Sequence, residues 1–213
     1  MTSGIRSRRE LRRLVAREAA WLLYTGQARE YKTAKEMAAK ALRARILPSN
    51  AEVAVELGRL MEELEGQGAE ERLIKMRAEA LEVMKALKPF RPRLIGSVWR
   101  GLAREDSDID IEVFCDEPEE VLRALEEAGY RVARHEAVVK DEPGGPVSSY
   151  HIYLKTRSGR EVEVVVRPKE MEGVERRCEI FGDIIRGLNI PELEAVLRKE
   201  PAKKFVPGGE EVG

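Results

Sequence analysis

The spacing at which apolar residues recur changes once along this chain, near Pro89, and that change limits what it can fold into. Before it, Leu11, Leu14, Val15, Ala19, Leu22 and Leu23 return at the period of one helix face, with arginines opposite. Gly26 closes this first predicted helix. Thr33 is placed to cap a second, through Ala34, Met37, Ala38 and Leu42. Pro48-Ser49-Asn50 breaks that helix, and Ser49 or Asn50 caps a third over about 51–64. After a Gly66-Gln67-Gly68 turn, a fourth helix points Leu73, Met76, Ala80, Leu81, Met84 and Leu87 inward until Pro89 and Pro92 stop it. Beyond Pro89 the period shortens to two. A short strand over 93–95 and a short helix over 98–103 precede Ile109, Ile111 and Val113, which alternate with Asp108, Asp110 and Glu112. A helix over 117–129 comes next, then strands near 131–140, 148–156 and 161–167. Residues 141–146 read as a loop and Ser158-Gly159 as a turn. Helices over about 169–186 and 191–199 close the chain, Pro191 suiting a first turn. The expected class is α+β. An N-terminal all-helical domain (1–89) leads to a sheet-bearing core (90–168), then C-terminal helices and tail (169–213).

The composition removes several function classes. Cys115 and Cys178 belong to no C-x-x-C pair, which argues against a zinc site or a disulfide framework. His135 and His151 are the only histidines, so a histidine-rich metal site is excluded. The arginine-bearing N-terminus has no apolar signal region, and no apolar run approaches the ~20 residues of a membrane span. A cytoplasmic location is expected. Charged residues make up 36% of the chain, while Asn50, Asn189, Gln27 and Gln67 are the only side-chain amides. That balance is associated with heat-adapted proteins, so a thermophilic source is expected. Residues 1–50 hold twelve Lys/Arg against four acids. Such asymmetry suits a polyanion such as RNA, and equally a solvated arginine-rich helix face.

The segment from Leu94 to Ile111 carries the chemistry. Gly96-Ser97 sits where a strand runs into a helix. Glycine lets backbone approach a ligand, a helix start offers unpaired N–H groups to phosphate, and the Ser97 hydroxyl can donate to a phosphate oxygen. Asp108 and Asp110 lie two apart on a predicted strand and therefore leave one face. Adjacent carboxylates repel and favour a cation between them. All-oxygen ligands point to Mg²⁺ or Mn²⁺. Arg100 and Arg104 can neutralise phosphate charge or serve the helix surface. Trp99 suits core packing better than stacking on a base, and Tyr150, His151 and Tyr153 suit the core or a base pocket.

Together, Gly96-Ser97, Arg100-Gly101 and Ser107-Asp108-Ile109-Asp110 resemble the signature of the DNA polymerase beta-like nucleotidyltransferase superfamily. The likeness is to its minimal nucleotidyltransferase and archaeal CCA-adding branches, and it spans roughly residues 90–170. The resemblance implies a mixed β-sheet with helices on one face, and a third carboxylate from a later strand. Glu161-Val162-Glu163-Val164 supplies the candidates, with Glu163 in the matching place and Glu161 as the alternative. The family more often has Asp there, so Glu163 is a departure. The implied activity moves a nucleoside monophosphate from a nucleoside triphosphate to a hydroxyl on RNA, protein or a small molecule and releases pyrophosphate. Two Mg²⁺ or Mn²⁺ ions are implied on Asp108, Asp110 and Glu163, with Gly96, Ser97, Arg100 and Arg104 at the nucleotide. The alternatives are a non-catalytic RNA- or protein-binding module on the same fold, supported by the basic N-terminal end, and an antitoxin-like partner of a toxin.

Overall fold

A computed structural model describes residues 7–142 and 145–207. Arg6, at the basic N-terminal end, and the centre of the expected 141–146 loop lie outside the described residues. The chain forms two compact units, Met1–Ala69 with Arg177–Asp183, and Glu70–Arg176 with Ile184–Gly213.

The first unit holds α1 (Arg8–Tyr24), α2 (Tyr31–Ala41) and α3 (Asn50–Glu65). Ser7 and Ser49 each cap a helix with a reciprocal glutamate three residues on, Glu10 and Glu52, which satisfies two otherwise orphan backbone donors at each end. Thr33 does not cap α2: Glu30 holds the N-cap place and makes no side-chain cap bond. The apolar stripes meet in a core of Val15, Ala19, Leu23, Ala34, Ala38, Val53 and Leu57.

In the second unit, most of α4 (Gln67–Ala86) packs on a five-stranded sheet. The strands are β1 (Arg93–Ile95), β2 (Ile109–Phe114), β3 (Val132–Glu142), β4 (Gly145–Lys155) and β5 (Glu161–Arg167), in the order β1-β2-β5-β4-β3. Only β2 and β5 run parallel, so the sheet is mixed. Ile109, Ile111, Val113, Val162, Val164 and Val166 point to one face. There they meet Met76, Ala80 and Met84 of α4, Val121 and Leu125 of α6 (Pro118–Glu127), and Leu193 of α7 (Ile190–Lys199). The helices thus cover one face, and the alternate residues of β2 and β5 belong to the other.

Two further expectations need correction. Residues 141–146 are not all loop, because Asp141 pairs with Pro146 and Glu142 with Gly145, extending the β3–β4 hairpin. The helix expected over about 169–186 does not form. A single 3₁₀ turn, Lys169–Met171, gives way to irregular backbone in which Gly173 and Gly182 take φ of +82° and +76°. Left-handed glycines end helical hydrogen bonding. The chain then returns to β1, where Leu94 and Leu188 exchange both backbone hydrogen bonds at 2.8 and 2.9 Å.

Candidate active site

The parallel register of β2 and β5 sets Asp110 directly beside Glu163. Asp108 stands one residue ahead of β2 and keeps the alternation. Asp108, Asp110 and Glu163 bring carboxylate oxygens within 4.8 Å of one another on the face away from the core. Burial pushes the Asp110 carboxyl well above the usual carboxylate range, with Asp108 and Glu163 adding to it. Asp108 is exposed as a residue, yet partial desolvation of its carboxyl, then Glu163, Glu161 and Asp106, raise it as well. Desolvated like charges at this spacing oppose each other, and a divalent cation relieves them. An all-oxygen set of three carboxylates suits Mg²⁺ or Mn²⁺.

Gly96 lies against this cluster for a steric reason. Its φ is +69°, and a Cβ there would come within 2.7 Å of the Asp110 Cγ and run into its carboxylate oxygen. The register Ile95↔Asp110 creates the closeness. α5 (Gly96–Arg100) starts here with no side-chain cap, and Ser97 is half-buried in its first turn. The Asp108 end adjoins a cleft of about 490 Å³ lined by Lys75, Ser107, Ser158, Arg160 and Glu161.

The other expected site residues are placed as follows. Glu161 leaves the same face as Glu163 but remains outside the cluster, its side chain 75% exposed and 3.7 Å from Lys155. Arg100 is buried instead of facing a phosphate: its guanidinium lies 4.1 Å from the Trp99 ring centroid and donates to the Phe205 carbonyl at 2.9 Å. Arg104 braces the turn ahead of Asp108. Its backbone N–H donates to Ser107 Oγ at 2.9 Å and its guanidinium pairs with Asp106 at 3.0 Å. Trp99 packs in the core, and Tyr150 packs against it while stacking on His135.

Sequence reasoning gave His151 and Tyr153 to the core or a base pocket without linking them to Glu163, and it did not single out Arg77. His151 Nδ1 is 2.6 Å from Glu163 Oε1, and its Nε2 is 2.9 Å from Ser149 Oγ. Tyr153 stands across from Glu163 in the β4–β5 register. Burial and the neighbouring Glu163 raise its phenol to about 12. The available signal was the period-two run Ser149-His151-Tyr153, which the tight Ser158-Gly159 turn folds back beside β5. Arg77 of α4 is 0% exposed and donates to the carbonyls of Val98, Trp99, Pro201 and Lys203 at 2.7–3.2 Å. A charged residue on an inward stripe was its signal. Beside Asp110, Glu112 is buried and held by Arg167 at 2.7 Å and by Arg176.

A family model described as a nucleotidyltransferase domain matches residues 78–175, somewhat under half of the chain. No curated protein matches. Two solved structures are similar over part of the chain. A structure of a cytoplasmic RNA terminal U-transferase is 17% identical over 47% of this chain, with a TM-score of 0.30. JHP933 from Helicobacter pylori is 16% identical over 56%, with a TM-score of 0.29. The chain spans 29% of the first structure's length and 51% of the second's. No helix among the described residues is long and apolar enough to cross a membrane. The matched span takes in the Gly96-Ser97 turn, both aspartates and Glu163, and over residues 78–175 the chain is similar to a nucleotidyltransferase domain.

Proposed function

We propose that this chain is a metal-dependent nucleotidyltransferase that moves a nucleoside monophosphate from a nucleoside triphosphate to an acceptor hydroxyl and releases pyrophosphate. The observation that carries this reading is the convergence of Asp108, Asp110 and Glu163 within 4.8 Å beside Gly96. A decayed site has no need of three mutually repelling carboxylates, which disfavours a purely binding role.

Asp108 and Asp110 would hold two Mg²⁺ or Mn²⁺ ions between them, and Glu163 would complete the coordination of one. When bound, the ions neutralise phosphate charge and lower the pKa of the attacking hydroxyl. Gly96, whose missing side chain makes room for Asp110, brings its backbone beside the carboxylates where the triphosphate would lie, and Ser97 would donate to a phosphate oxygen from the uncapped start of α5. Arg104, held by Asp106, keeps the approach to Asp108 in shape. The new bond joins the acceptor oxygen to the α-phosphorus, and the bond to pyrophosphate breaks in line with it. RNA is the acceptor class we favour, because Arg8, Arg9 and Arg13 stand exposed on α1.

Incubating the chain with each labelled nucleoside triphosphate, Mg²⁺ or Mn²⁺ and a panel of RNA, protein and small hydroxyl acceptors tests this. Pyrophosphate release with labelled acceptor is expected. Asp110→Asn and Gly96→Ala should each lower it by about 10²-fold or more, since misplacement by about 1 Å costs that much. No release with any triphosphate, or equal release by the Asp110→Asn variant, would count decisively against the reading.

A further inference from the structure

Glu163 differs from the two aspartates in having one more rotatable bond between backbone and carboxylate. Left alone, that side chain would sample several rotamers, and few would point at Asp108 and Asp110. Its neighbours on β4 remove the freedom. Tyr153 stands directly across from Glu163, and His151 is two residues further along the same face. His151 is 6% exposed and has a partner on each ring nitrogen. A carboxylate can only accept, so Nδ1 carries the hydrogen toward Glu163 Oε1. In the neutral ring Nε2 is then left as the acceptor facing the Ser149 hydroxyl. The Tyr153 ring is set beside Glu163 by the β4–β5 register, and the Arg134 guanidinium lies 3.9 Å from the centroid of the tyrosine ring. A buried histidine serving only the fold would not need to spend its Nδ1–H on a carboxylate of the acidic cluster.

We propose that His151 and Tyr153 are positioning residues that hold the Glu163 carboxylate toward Asp108 and Asp110, so that the third ligand is oriented before any cation arrives. The inference rests on the metal-binding reading given above and names the residues behind its third ligand. Hydrogen-bonded partners of metal-ligating carboxylates typically contribute about 10–100-fold in affinity.

The test uses Mn²⁺ alone on the full chain, with free Mn²⁺ counted by electron paramagnetic resonance and thermal melting followed in parallel. His151→Ala should weaken Mn²⁺ binding about 10-fold or more with little change in metal-free Tm. Tyr153→Phe should weaken it less. His151→Asn, whose amide N–H can replace the Nδ1 donor, should recover most of the loss. Neither His151→Ala nor Tyr153→Phe should weaken binding further once Glu163→Gln is present. Wild-type affinity in both His151→Ala and Tyr153→Phe, with Glu163→Gln impaired, overturns the positioning role and leaves the metal site standing. Wild-type affinity in Glu163→Gln overturns the third-ligand assignment and this inference with it. If His151→Ala fails to fold, Tyr153→Phe decides, and wild-type affinity there overturns the proposal.

Discussion

Asp110 is where the demands of folding and chemistry meet most directly. Its carboxylate sits on the Gly96 backbone with Asp108 and Glu163 as neighbours, and burial raises its pKa well above the ordinary range. The folded chain therefore binds this proton more tightly than the unfolded chain does. Stability from the protonated form is fully present below the ordinary carboxylate range. It is lost as pH rises from there through the raised folded value. Metal-free protein should therefore lose Tm over that window, and added Mn²⁺ should offset the loss. Asp110→Asn keeps the shape without the charge. It should raise metal-free Tm at neutral pH by about 2–4 °C, which is roughly 1 kcal/mol for a chain of this size. Calorimetry across pH, with and without Mn²⁺, reads both effects. A Tm that climbs through the same window without metal would sink the argument.

At the scale of elements, α5 is only five residues long and gains its position from neighbours rather than from its own hydrogen bonds. Arg77 supplies much of that support. Its guanidinium meets the Val98 and Trp99 carbonyls at the end of α5 and the Pro201 and Lys203 carbonyls of the C-terminal segment. Burial lowers its pKa to about 10, so it remains charged at neutral pH. Arg77→Met fills similar space and leaves four carbonyls without this donor. At about 1–3 kcal/mol for each group left unsatisfied, a loss of about 3 kcal/mol or more is expected in urea unfolding. Mn²⁺ affinity should fall as well, because α5 begins at Gly96. Unfolding at the wild-type midpoint would refute this. The period of α4 marked its inward stripe, but not which partner that stripe would meet, since a repeat of about 3.6 residues describes one face and says nothing of its neighbour.

Over the whole molecule, the uneven charge of the sequence is partly consumed within the first unit. Arg12 pairs with Glu52 at 2.8 Å, and Arg17 with Glu63 at 2.6 Å and Glu56 at 3.8 Å. Those two arginines tie α1 to α3, while Arg8, Arg9 and Arg13 remain exposed. The RNA affinity we propose therefore belongs to the exposed three. Replacing them with glutamine should weaken binding of single-stranded RNA and flatten its salt dependence, by about 0.7 in log–log slope for each phosphate that is no longer neutralised. Titration at several salt concentrations measures this, and an unchanged slope would remove the arginines from the interface.

What residue order alone determined was local. The helical and two-residue periods, the Ser49 cap, the Gly96-Ser97 turn and the Asp108-Asp110 pair all act between residues a few positions apart. Chain-local sterics and alternation make such features legible. The tertiary structure decided whatever depends on segments distant in the chain. The parallel register of β2 and β5 brought Glu163 rather than Glu161 to the aspartates, and the β4–β5 register delivered His151 and Tyr153 to Glu163. Packing against Trp99 and Phe205 drew Arg100 into the interior. No single strand carries its register with a distant partner, because register is set where two side-chain patterns meet across a ladder.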